Sequence, residues 1–101
     1  VGRPAIAIFE ERAETRDETM FRARGRTGDS SFPMTIVNVS PHGFMARCET
    51  GLPVGSLVSV TLPVVGDFTG EVRWTLGGRI GCRLTREIPP ALYQFALAAM
   101  R

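Results

Sequence analysis

The chain has 101 residues, 44% hydrophobic and 22% charged, with a net charge of +2. That is the size of one domain, and its apolar content is too high for a disordered chain. Its longest apolar runs, such as Ala5-Ile6-Ala7-Ile8-Phe9, fall far short of the ~20 residues a spanning helix needs, and no basic start leads into a long apolar run of the secretory kind.

Residues 1–10 read as a tail. From residue 19 the pattern has period two, the mark of half-buried antiparallel strands. Phe21 and Ala23 alternate with Arg22, Arg24 and Arg26, and Thr27-Gly28-Asp29 supplies a turn. A β-branched run, Thr35-Ile36-Val37-Asn38-Val39, leads to the polar turn Ser40-Pro41-His42-Gly43. Phe44, Ala46 and Cys48 then share one face, and a longer connection follows at residues 51–56. Val58, Val60 and Leu62 make a fourth alternating strand. In the fifth, Val72 and Trp74 are expected inward and Glu71 and Arg73 outward. Ile80, Cys82 and Leu84 make the sixth, with Gly66-Asp67 and Gly77-Gly78 as hairpin turns. Six short strands at these spacings suit a small barrel or sandwich. Pro89-Pro90 ends the strand pattern, and residues 91–100 read as a helix in which only Gln94 is plainly polar. Such a helix is buried over much of its girth or meets a partner, so Leu92, Tyr93 and Phe95 are expected to divide between the barrel wall and another surface.

All twelve basic residues are arginines. Residues 10–18 hold Glu10, Glu11, Glu14, Asp17 and Glu18 against Arg12 and Arg16, while the rest of the chain is mildly basic. Little points to catalysis or to a metal. The single His42 sits in a turn, where imidazole is ordinarily solvated, and Cys48 and Cys82 fall on the apolar phase of strands as buried thiols. No phosphate-cradling glycine loop opens a helix. The strand arginines are read as a solvated face rather than a nucleic-acid surface, because a single-strand groove wants aromatic platforms among its cations.

Two short features stand out together. Arg12 and Arg16 lie four apart just before the first strand, and Asn38-Val39-Ser40-Pro41-His42-Gly43 follows across one hairpin. On these residues the chain resembles the PilZ domain, the bacterial module that binds cyclic dimeric GMP. Arg12 and Arg16 match its Arg-x-x-x-Arg element, and Asn38, Ser40 and Gly43 match its (Asp/Asn)-x-Ser-x-x-Gly element. Leu52-Pro53-Val54-Gly55, Gly70-x-Val72-x-Trp74 and Arg79-Ile80-Gly81-Cys82-Arg83-Leu84 extend the likeness.

The resemblance implies a six-stranded antiparallel β-barrel at residues 19–88, a C-terminal helix at 90–100 and a ligand-clasping arm at 11–18. It implies a non-enzymatic, cytoplasmic receptor for cyclic dimeric GMP, with no other cofactor. Arg12, Arg16, Asn38, Ser40 and Gly43 would be the ligand-binding residues. Guanidinium pairs bidentately with phosphate or with O6 and N7 of guanine, and amide and hydroxyl groups reach a guanine edge. The arm is expected to become ordered over the ligand. The other reading of the same fold is an interaction module with weak or no nucleotide binding, reaching a downstream protein or a second copy through the 91–100 helix.

Overall fold

A computed structural model describes residues 15–101. Six strands appear in the expected order: β1 (Asp17–Thr27), β2 (Ser30–Ser40), β3 (Gly43–Arg47), β4 (Leu57–Leu62), β5 (Gly66–Leu76) and β6 (Arg79–Leu84). One helix, α1 (Pro90–Met100), follows. The strands close into an antiparallel barrel in the order β1-β2-β3-β6-β5-β4, and Arg26 of β1 opposite Ser59 of β4 completes the circle. The first strand starts at Asp17, two residues before the apolar alternation sets in, because Asp17 and Glu18 already pair with Val39 and Asn38 of β2.

The apolar phase of each strand fills the barrel. Ile36, Phe44, Val58, Val60, Phe68, Val72 and Ile80 are almost wholly removed from water. Cys48 and Cys82 lie among them as free thiols. Burial, with Cys48 nearby as the smaller cause, pushes the Cys82 thiol up to about 12.

Helix α1 begins with Pro90 in its first turn, where the missing N–H costs nothing. It buries Tyr93, Ala96, Leu97 and Met100. Leu92 and Phe95 stay 39% and 65% exposed, so the helix does divide its apolar residues between the barrel and the outside.

Three β-bulges interrupt the ladders, between Glu18 and Phe21 in β1, between Ile36 and Asn38 in β2, and between Val72 and Trp74 in β5. A bulge inserts one residue and so turns the following side chain to the opposite face. Trp74 corrects the sequence expectation on this account. Val72 faces the core opposite Cys82, the bulge takes up Arg73, and Trp74 emerges on the outer face opposite Gly81. It is half-buried there because its indole lies over Gly81, where an added Cβ would run into the ring.

Candidate functional site

The bulge in β2 acts on Asn38 as the one in β5 acts on Trp74. Ile36 is fully buried opposite Ala46, and simple alternation would send Asn38 to the same inner face. The extra residue puts Asn38 outside instead, opposite Met45. The matching bulge in β1 is held by Thr19, whose buried hydroxyl donates to the Ile36 carbonyl at 2.8 Å.

Register then aligns one row of side chains across four strands. Asn38 of β2 stands opposite Met45 of β3, Met45 opposite Gly81 of β6, and Gly81 opposite Trp74 of β5. At one end of this row Arg16 Nη1 donates to Asn38 Oδ1 at 2.8 Å. Asn38 Nδ2 in turn points at Met45 Sδ, 3.7 Å away, a weak contact of amide with thioether. Arg16 is half-buried, and its Nε is buried with no hydrogen-bond partner. The Trp74 indole N–H, at the other end, is in the same condition. Unpaired buried donors are uncommon in folded proteins and costly.

The next turn is built for shape. Ser40 is buried, and its hydroxyl donates to the Gly43 carbonyl at 3.4 Å, inside its own turn. Gly43 is buried opposite Arg83, and a Cβ there would stand 2.6 Å from the Cys82 carbonyl oxygen. Close approach of two backbones therefore demands glycine at this position. The turn is tied to the end of β6 and the segment after it, since Leu84 N–H donates to the His42 carbonyl and Ile88 N–H to the Pro41 carbonyl, both at 2.8 Å. His42 Nε2 lies 3.6 Å from Glu87 Oε2 on the same side.

Of the five candidate residues, Arg16 and Asn38 touch directly, and Ser40 and Gly43 form the turn that follows Asn38. Arg12, the 1–10 tail and all but the last residues of the 11–18 arm lie outside the described residues. Sequence reasoning missed Met45 as a member of the row and sent Trp74 to the wrong face. The only available signal for the latter was Gly81, a glycine on the outward phase of a strand, which admits a large neighbour. Among the described residues no group of three His, Cys, Asp or Glu side chains is arranged to hold a metal ion, and no helix is long and apolar enough to cross a membrane.

No curated protein sequence matches the chain. The family model of the PilZ domain matches residues 10–96, which includes all six strands and most of α1. That span holds both arginines, the Asn38–Gly43 turn and Trp74 in their expected order, and the chain belongs to the PilZ domain family.

Proposed function

We propose that this chain is a non-enzymatic receptor domain for cyclic dimeric GMP, which lies along the Asn38–Met45–Gly81–Trp74 row. The observation that carries this reading is Arg16 lying on Asn38 at the outer face, with a buried, unpartnered Nε. A phosphate or a guanine Hoogsteen edge accepts two parallel N–H bonds from one guanidinium, which would satisfy donors that Asn38 alone leaves open. The Asn38 carboxamide, relieved of Arg16, would then meet a guanine edge. Arg12 would join from outside the described residues. Ser40 and Gly43 serve by holding the turn, and Trp74 offers an aromatic surface of the kind on which bases stack.

Calorimetric titration of cyclic dimeric GMP, with GTP as control, tests this. The single tryptophan gives a second readout, because a base on the row changes the surroundings of Trp74. Binding that is selective over GTP, weakened in Arg16→Ala and accompanied by a change in Trp74 emission is expected. No heat of binding at any soluble concentration would overturn the reading in favour of an interaction module, for which the exposed Phe95 on α1 is the feature to test.

A further inference from the structure

A second row crosses the outer face one pleat away, about 7 Å from the first along β3 and β6. Arg22 of β1 stands opposite Thr35 of β2, Thr35 opposite Arg47 of β3, Arg47 opposite Arg79 of β6, and Arg79 opposite Leu76 of β5. Arg22, Arg47 and Arg79 are all exposed, and none of them is in an ion pair with a described carboxylate. Neighbouring arginines differ. Arg24 donates to Ser31, Arg26 pairs with Asp67, Arg86 covers the Phe68 ring and donates to the Asp67 carbonyl, Arg101 pairs with Asp17, and Arg83 stands opposite Glu71. Arg22, Arg47 and Arg79, with neither an ion pair nor a side-chain hydrogen bond to a described residue, thus share one line. Arg47 and Arg79 even form a directly opposed cross-strand pair of like charges, an arrangement that costs stability.

We propose that this row is a docking surface for an acidic, extended peptide segment of a partner protein. From Arg22 to Arg79 the row covers three strand spacings, about 14 Å, a length that suits a chain of carboxylates rather than a single anion. It ends on Leu76, which is 72% exposed and gives an apolar contact to one end of the segment. A peptide is favoured over single-stranded nucleic acid because no aromatic side chain lies between the arginines. The barrel is closed, so the segment cannot add as a seventh strand and must be held by side chains. Guanidinium is suited to this, since it grips carboxylates bidentately.

The test uses the full chain without dinucleotide, so that its outcome is independent of the function proposed above. A labelled oligoglutamate peptide with one terminal leucine is titrated at low salt by fluorescence anisotropy, beside oligothymidylate of the same charge. Saturable peptide binding is expected, weakened about tenfold or more in the Arg47→Ala/Arg79→Ala double variant. Arg24→Ala is expected to bind as the parent does. Leu76→Ser should remove the preference for the leucine-ended peptide over plain oligoglutamate. Arg79→Glu should lose the peptide yet raise the urea midpoint, because it replaces a like-charge pair with an opposite one, and this separates lost binding from lost folding. Absence of peptide binding, equal affinity for oligothymidylate, or a double variant that binds like the parent would each overturn the proposal.

Discussion

The Tyr93 hydroxyl donates to the Asp17 carboxylate at 2.7 Å, joining α1 to the first residue of β1 across 76 positions of sequence. The Val39 carbonyl lies 3.1 Å from the same oxygen, and Arg101 Nη2 lies 3.8 Å from the other carboxylate oxygen of Asp17. Asp17 adjoins Arg16, so the start of the strand that follows the site arginine is fixed by the helix. Tyr93→Phe keeps the buried ring and removes the donor. A hydrogen bond to a charged group contributes roughly 1.5–3 kcal/mol net, and the partial exposure of Asp17 points to the lower part of that range. Urea denaturation should show a loss of about 1–2 kcal/mol with an unchanged m-value.

Arg16→Ala and Asn38→Ala should each weaken cyclic dimeric GMP binding while leaving the melting temperature close to that of the parent. Removing Arg16 should cost roughly 1.5–3 kcal/mol of affinity. Removing Asn38 should cost less, because it removes a competitor for Arg16 as well as a ligand contact. The double variant should therefore lose more than the summed single effects, because each single change also frees the remaining side chain from the Arg16–Asn38 bond. Strict additivity in calorimetry would mean that the two side chains do not act on one ligand group.

The strand count and the bounds of the helix follow from period-two alternation and from Pro89-Pro90, because those signals are local, whereas alternation leaves barrel and sandwich open and the barrel comes from the PilZ resemblance. The faces of Asn38 and Trp74 do not follow from alternation. Each comes after a bulge, and a bulge reverses the face of the residues beyond it without altering the composition that periodicity measures. Gly43 was legible as a motif position, yet its physical cause, the Cys82 carbonyl on β6, is 39 positions away in sequence and visible only in the folded barrel. The arginine row was illegible for a similar reason. Arg22, Arg47 and Arg79 look like three unrelated strand arginines until the register of four strands aligns them.

Gly81→Ala should disturb the site from behind. The new methyl group would run into the Trp74 indole, which is an outer-face side chain and has room to swing away. The fold should survive, while Trp74 emission shifts to the red as the ring becomes more exposed. Gly43→Ala is different in kind. Its Cβ would meet backbone of a paired strand, which cannot give locally, so a loss of about 2 kcal/mol or more is expected in thermal denaturation.

Val64 carries a φ of +72° in the turn between β4 and β5, where Val65 N–H donates to the Pro63 carbonyl at 2.8 Å. A β-branched residue is strained in that region, and Val64 is mostly exposed, so its side chain gives back little. The i to i+2 bond at this φ is a γ-turn, which glycine adopts without a Cβ clash. Val64→Gly should therefore raise stability by about 0.5–1 kcal/mol, and Val64→Asn by less, because asparagine keeps its Cβ. Urea midpoints of the two variants check the order as well as the sign.

Cys82 makes the barrel sensitive to alkaline pH. Burial raises its thiol from 9.0 to about 12, so the folded state favours the protonated form over a range where the unfolded chain would release the proton. The folded pKa is the higher one. The associated stability is therefore fully present below pH 9 and declines as pH rises from 9 toward 12, by about 1.4 kcal/mol per pH unit at most. Cys82→Ala removes this dependence at the cost of a small cavity opposite Phe44, so the variant should start less stable at pH 7 and lose less on going to pH 10.5. The same burial protects the sulfur, since the thiolate is the reactive species. Iodoacetamide at pH 8 should label Cys82 only as fast as the domain opens, and quickly once urea unfolds it. Equal pH slopes for Cys82→Ala and the parent would show that other groups, not this thiol, set the alkaline limit of the fold.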